Sequence, residues 1–109
     1  MCDTGEMQQR SDTWVVIPAF NEAPVIGGVV AGVRALFPRV LVVDDASDDD
    51  TPDIMRELAA QYPQIRCEYL PSNGGAACAR NWGALQSQAD FTAFLDADDA
   101  YEVLALLPA

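Results

Sequence analysis

The stretch RVLVVDDASDDDTPD, residues 39–53, decides the fold of this chain. It opens with Val40-Leu41-Val42-Val43, a continuous apolar run that is typical of a strand buried on both faces of a parallel sheet. The run ends in two acids, Asp44 and Asp45. Thr51-Pro52-Asp53 then has the residue types that start helices: a capping hydroxyl, a proline suited to the first helical position, and an acid near the positive end of the helix dipole. We therefore predict a strand, an acidic loop, and a helix with Thr51 as its N-cap.

The same plan of strand followed by helix recurs along the whole sequence. The predicted strands are Thr13–Pro18, Arg39–Asp44, Ile65–Leu70 and Phe91–Asp96. The first predicted helix starts near Pro24, and Val25, Val29, Val33 and Leu36 form its apolar face at helical spacing. Ile54, Leu58 and Tyr62 supply the apolar face of the second helix, and Ala76–Gln88 form the third. This alternation predicts an α/β fold, a Rossmann-like parallel β-sheet with flanking helices.

Composition excludes several classes of function. The chain has 109 residues, of which 17 are acidic and 6 basic, and its net charge of −11 repels nucleic-acid phosphates, so we expect no DNA or RNA partner. The absence of histidine from the sequence excludes Ser-His-Asp catalysis and histidine-ligated zinc within this chain. Three cysteines without a CxxC pair indicate no disulfide framework, which favours a cytoplasmic location.

Carboxylates follow three of the four predicted strands. Glu22 comes after the first, Asp45 after the second, and Asp98 after the fourth. Right-handed crossovers bring the loops after parallel strands to one edge of the sheet, and open α/β sheets bind their ligands at that edge. The sequence therefore predicts an acidic ligand-binding edge.

The segment Phe94-Leu95-Asp96-Ala97-Asp98-Asp99 is a candidate metal site. A turn after Asp96 would aim Asp96 and Asp98 at one centre, and such oxygens suit Mg²⁺, which usually binds one or two carboxylates together with substrate phosphates. A solvated acidic turn is the alternative interpretation. In the other acidic loops, Asp45 offers an acceptor to a base N–H or a ribose hydroxyl, and Phe20 offers either a flat face to a base or simple core packing.

Four segments, Val15–Glu22, Val43–Thr51, Asn73–Gly83 and Phe94–Asp99, occur in one order. Together they resemble the family 2 glycosyltransferases, which show a PxxNE-like start, a VDDxSxDxT segment, an NxGxxxARNxG segment and a DxD-type acidic motif. The resemblance covers residues 13–100. The opening Ile17–Ala23 is also similar to the polyprenyl-phosphate sugar synthases of that family.

The resemblance implies the N-terminal half of an A-type glycosyltransferase fold. It implies a UDP- or GDP-sugar donor, Mg²⁺ or Mn²⁺, and inverting transfer to a sugar or polyprenyl-phosphate acceptor. Asp45 would contact the nucleobase with Asp44 in support, and Arg80 would lie near the diphosphate or pair with an acid. The implied donor-binding residues are Pro18, Ala19, Glu22, Asp44, Asp45, Arg80 and Asp96, and the implied metal ligands are Asp98 and Asp96.

Residues 1–12 are expected to form a flexible tail, as chain ends commonly do. By this resemblance residues 13–109 form a nucleotide-sugar-binding domain truncated at its C-terminus. Family members continue into an acceptor side with a carboxylate general base, and Glu102 lies too near the metal motif for that role. We therefore expect donor binding without useful sugar transfer by this chain alone, and we consider a homodimer. A lipid-linked acceptor would place the full enzyme at the cytoplasmic face of the membrane.

Four other classes of protein compete with this interpretation. The first is a truncated, non-catalytic nucleotide-binding module, which shares every motif named above. A dehydrogenase is disfavoured because no GxGxxG follows the first strand, and a nucleotidyltransferase because the first loop is not rich in glycine and arginine. A response-regulator receiver would need an acceptor Asp after its third strand, where Leu70-Pro71-Ser72 stands instead.

Overall fold

The computed structural model describes residues 13–87, 91–97 and 99. In this part of the chain the strands are β1 (Thr13–Ala19), β2 (Val40–Asp44), β3 (Ile65–Tyr69) and β4 (Phe91–Phe94), and the helices are α1 (Ala23–Leu36), α2 (Thr51–Gln61) and α3 (Ala76–Ser87). The strands form one sheet in the order β3-β2-β1-β4, and every pair is parallel. The predicted α/β fold with a parallel sheet and flanking helices is confirmed. The predicted tail over residues 1–12 lies outside the described residues.

The two central strands are buried on both faces, because helices pack on each side of the sheet. Alternate residues of a strand point to opposite faces. Val15 and Ile17 of β1 accordingly belong to the core formed with α1 and α2, whereas Val16 belongs to a smaller core with α3. The larger core contains Val15, Ile17, Ala19, Val40, Val42, Ile65, Ile26, Val29, Val30, Val33, Met55 and Ala97. The continuous apolar runs of β1 and β2 are thus explained by burial on two faces.

The strand order sets where a ligand can bind. From β1 the chain adds β2 and then β3 on one side, and α3 leads to β4 on the other side of β1. The direction of winding therefore reverses between β1 and β4. In open α/β sheets such a reversal leaves a crevice outside the carboxyl ends of the strands, which is where their ligands bind.

Two details of the helices differ from the sequence prediction. Leu36 was predicted to join the apolar face of α1, but it is 62% exposed, because the buried stripe runs along Ile26, Val29, Val30 and Val33 and leaves the last residue outside it. Thr51 was predicted as the N-cap of α2, but it is the first helical residue and Asp50 occupies the cap position without a side-chain capping bond. No helix in the described part of the chain is long and apolar enough to cross a membrane.

Helix α3 lies very close to the sheet at Gly83. A Cβ atom at this position would lie 2.4 Å from Cγ1 of Val16 and 3.2 Å from Cγ2 of Val43. Both valines are fully buried in the centre of β1 and β2, so neither has free space to move into. Only glycine lets the helix backbone reach this depth.

We expect Gly83→Ala to destabilise the fold, because the added methyl group overpacks a filled site at a cost of about 1–3 kcal/mol. Gly28→Ala is the matched control: Gly28 is exposed in α1, and a Cβ there meets no atom within 4 Å. That substitution should stabilise the protein by roughly 0.5–1 kcal/mol, since alanine favours the helix interior. Urea unfolding measures both values, and changes of the same sign would contradict the packing described for α3.

Candidate functional site

A cavity of about 390 Å³ opens at the carboxyl edge of the sheet, where the winding reverses. The loops that follow all four strands contribute to its wall. It is lined by Pro18, Ala19, Phe20, Glu22, Asp45, Asn73, Gly75, Ala76 and Asp96. A concave site of a few hundred Å³ with a small number of polar groups is typical of a small-molecule pocket.

The loop after β1 is fastened to the loop after β2 through Asn21. This residue has a left-handed backbone with φ of 54°, a conformation that asparagine tolerates better than most residues. Its N–H donates to Oγ of Ser47 at 2.8 Å, and its Oδ1 accepts the N–H of Asp48 at 2.9 Å. Phe20 and Glu22, which flank Asn21 and line the cavity, are therefore held at fixed positions.

A second set of bonds joins the same two loops through Thr51 and Asp49. The buried hydroxyl of Thr51 accepts the N–H of Glu22 at 2.9 Å and donates to Oδ1 of Asp49 at 2.5 Å. Asp49 also accepts the N–H of Thr51 at 2.9 Å and the N–H of Ala23 at 3.3 Å. Partial desolvation raises the pKa of Asp49, but the hydrogen bonds from Thr51 and Ala23 outweigh it and leave that pKa lowered.

The adjacent acids Asp44 and Asp45 differ in their surroundings. Asp44 is buried, and its Oδ2 accepts the N–H of Ser47 at 3.2 Å. Its Oδ1 is buried and has no hydrogen-bond partner among the described residues. Asp44 does not line the cavity; in this structure it shapes the turn that follows β2. Asp45 lines the cavity instead.

Asp45 connects the end of β2 to the loop before α3. It is 3% exposed, and its two carboxylate oxygens accept the N–H groups of Gly74 and Gly75, each at 2.9 Å. The side-chain amide of Asn73 donates to the carbonyl of Asp45 at 3.2 Å. Gly75 has a φ of 90°, which side chains rarely adopt, and this explains a glycine at that position.

The structure brings most of the predicted site residues together. Five of them line the cavity: Pro18, Ala19, Glu22, Asp45 and Asp96. Asp44 and Arg80 do not line it, and Asp98 lies outside the described residues. Sequence reasoning did not assign Asn73, Gly75 and Ala76 to the site, because their loop has no carboxylate. The Asn-Gly-Gly turn in the loop between β3 and α3 was the signal that could have found them.

The cavity suits a divalent cation only in part when judged on the described residues. In the ranges 13–87, 91–97 and 99, no group of three or more His, Cys, Asp or Glu side chains is placed to hold a metal ion. Asp96 is exposed and lines the cavity. One carboxylate at the mouth fits a cation such as Mg²⁺ if substrate phosphates supply further ligands.

Comparison with known proteins establishes the family. Residues 14–108 match the family described as Glycosyl transferase family 2, and the chain therefore belongs to that family. A dolichyl-phosphate beta-glucosyltransferase of Trichomonas vaginalis, ALG5C, is 31% identical over 102 residues, which cover 84% of this chain and 30% of that protein. The chain spans about a third of the length of the relatives it matches.

Solved structures of similar proteins share the fold and carry nucleotide ligands. Residues 1–349 of TarS of S. aureus, in complex with UDP, superpose with a TM-score of 0.67 and 28% identity, covering 79% of this chain and 27% of that TarS chain. The mannosyltransferase PcManGT from Pyrobaculum calidifontis, in complex with GDP-Man and Mn²⁺, gives a TM-score of 0.71 and 26% identity, covering 89% of this chain and 32% of PcManGT.

The hydrogen bonds to Asp49 lead to a prediction about acid stability. Since its pKa is lowered in the fold, the ionised carboxylate stabilises the protein above the ordinary value of 3.8, and this contribution disappears as the pH falls through the lower folded value. We expect Asp49→Asn to reduce the free energy of unfolding at neutral pH. Because Asp49 is largely exposed, solvent screening limits the loss to roughly 0.2–1 kcal/mol.

Asp50→Asn is the matched control. It removes the same charge from the neighbouring residue, and the Asp50 side chain makes no capping bond. The measurement is urea unfolding at neutral pH and again below pH 3.8. The difference between wild type and Asp49→Asn should shrink in acid. A difference that is independent of pH, or equal for both variants, would contradict the role given to the Asp49 carboxylate.

Proposed function

We propose that this chain binds a nucleoside-diphosphate sugar, with a divalent cation, in the cavity at the carboxyl edge of the sheet. In this proposal the domain serves inverting transfer of the sugar to an acceptor hydroxyl or a polyprenyl phosphate. The observation that carries the proposal is the convergence of Glu22, Asp45 and Asp96 on one cavity at the winding reversal. The nucleotide ligands of TarS and PcManGT support it, since both proteins share this fold.

The lining residues divide into an apolar and a polar part that suit the two ends of a nucleoside. Phe20 is 43% exposed beside the cavity and offers its ring face to a base, with Pro18 and Ala19 beside it. Asp45 and Glu22 bring carboxylate oxygens, which accept hydrogen bonds from a base N–H or a ribose hydroxyl. A ring N–H is present in uracil and guanine, so this arrangement favours a UDP- or GDP-sugar.

The diphosphate end of the donor is proposed to lie toward Asp96. Asp96, together with Asp98, would hold Mg²⁺ or Mn²⁺, which when bound neutralises the charge that develops on the leaving diphosphate. Inverting transfer needs the acceptor oxygen to attack the anomeric carbon as the bond to the diphosphate breaks, and a base takes the acceptor's proton. In this proposal the described residues bind and orient the donor. Arg80 near the diphosphate remains a prediction of the sequence, as do a homodimer and a cytoplasmic location.

The alternative is a nucleotide-binding module that does not transfer sugar. It shares the cavity, and it gains weight because the general base is assigned to none of the described residues. Incubation with UDP-glucose or GDP-mannose, Mn²⁺ and a polyprenyl phosphate, followed by mass spectrometry, separates the two functions. Multiple-turnover product favours the transferase, whereas binding without product favours the module for this chain.

We expect UDP or GDP to bind more tightly with Mn²⁺ than with EDTA, by about 10–100-fold, since charge-assisted contacts are worth about 1.5–3 kcal/mol. Asp96→Asn and Asp98→Ala should each reduce that difference, whereas Asp53→Asn should not, because Asp53 lies on α2 in an ion pair with Arg56 away from the cavity. Titration calorimetry gives the dissociation constants. Equal affinity with Mn²⁺ and EDTA would contradict the proposed metal role.

Phe20 gives a separate test of where the base lies. We expect Phe20→Ala to weaken UDP and GDP binding by about 1–3 kcal/mol, the usual worth of stacking one base on an aromatic ring. Phe91→Ala is the matched control, since Phe91 is 63% exposed but stands at the amino end of β4, away from the cavity. Calorimetry on both variants decides the matter, and equal losses would place the base elsewhere.

A further inference from the structure

Asp45 uses every one of its polar groups to join three parts of the cavity wall. Its N–H donates to the carbonyl of Ala19 at the end of β1, at 2.8 Å. Its carbonyl accepts the side-chain amide of Asn73, and its two carboxylate oxygens accept the N–H groups of Gly74 and Gly75. Four hydrogen bonds from one buried residue therefore connect the ends of β1 and β2 to the loop that precedes α3.

The chemistry of this junction requires a carboxylate. Two backbone N–H groups approach from the same side, and an ionised carboxylate is the side chain that offers two acceptor oxygens and no donor. An asparagine of the same size would turn its NH₂ group toward one of the two N–H groups and leave a buried donor unpaired. Gly74 and Gly75 are successive residues, so their two N–H groups lie side by side and one carboxylate can accept both.

We propose that Asp45 is a positioning residue that holds the wall formed by Asn73, Gly75 and Ala76 in its binding geometry before any nucleotide is present. The inference rests on the proposed function and adds to it, because this role acts on every ligand of the cavity, including those whose base offers nothing to a carboxylate. A residue that only contacts the base would affect uracil and guanine nucleotides alone. Adenine has no ring N–H for a carboxylate to accept, so ADP separates the two roles.

The first measurement uses the chain without nucleotide. We expect Asp45→Asn to increase the amide hydrogen-exchange rates of Gly74 and Gly75 by at least about tenfold, which corresponds to a loss of 1.4 kcal/mol in local stability. Their amide proton resonances should also move to lower chemical shift, because the charged acceptor is gone. The amides of Val16 and Leu41 in the central strands should exchange as in wild type. Glu57→Gln on the exposed face of α2 is the charge-matched control and should leave Gly74 and Gly75 unchanged.

The second measurement is the binding of UDP and of ADP, each with Mn²⁺, monitored by NMR titration. In Asp45→Asn, ADP should weaken by about tenfold or more, as UDP does. Asn73→Ala removes a single bond of the junction and keeps the carboxylate, so it should give a smaller loss of the same kind and also serves if Asp45→Asn does not fold. Unchanged exchange at Gly74 and Gly75 in both variants, or a loss confined to UDP, would overturn the positioning role. If wild type binds no nucleotide, the proposed function fails while the exchange rates still decide the role of Asp45.

Discussion

Two loops at the carboxyl edge, residues 20–23 and 45–51, are held together by side chains of each loop that accept the backbone N–H groups of the other. In one place the N–H of Asn21 donates to Oγ of Ser47 and Oδ1 of Asn21 accepts the N–H of Asp48. In another, Thr51 and Asp49 accept the N–H groups of Glu22 and Ala23. Parallel strands leave such loops without a sheet partner, so their backbone N–H groups donate to side-chain acceptors instead. The hydrogen bonds between the two loops provide these acceptors, and they also fix the cavity side of the first loop.

The same constraint explains how so acidic an edge remains stable. Asp44, Asp45 and Asp49 each direct their charge at N–H donors, so their oxygens serve the turns and are only partly available to a ligand. Asp96 is exposed at the cavity by contrast. An anionic donor would be repelled by this edge unless a cation came with it, which is the electrostatic reason that the proposed function includes a divalent metal. The acidic residues therefore have two kinds of role: those near backbone N–H donors hold the turns, and Asp96, exposed at the cavity, is available to a ligand.

The sequence predicts the fold closely because its signals are local and repeated. Burial on two faces gives β1 and β2 their continuous apolar runs, and the rule that loops after parallel strands share an edge correctly gathers Pro18, Glu22 and Asp96 at one cavity. Asp44 does not line that cavity, because its carboxylate turns to the N–H of Ser47, a contact that the motif alone did not show. The prediction of Thr51 as an N-cap was wrong, because its hydroxyl accepts the N–H of Glu22. A helix-start pattern cannot predict such long-range partners.

The third helix shows why the glycine positions matter as much as the acids. At Gly83 the helix backbone approaches the valines of β1 and β2 more closely than any side chain would allow, and this sets its depth on the sheet. Eight residues earlier, roughly 12 Å along a helix axis, Asp45 fixes the chain at Gly75 just before the helix begins. A rigid helix constrained in depth at one point and in position at its start has little freedom left. Ala76, its first residue, is thereby placed in the cavity wall by contacts that contain no ligand-binding group of its own, so the shape of the site depends on packing remote from it.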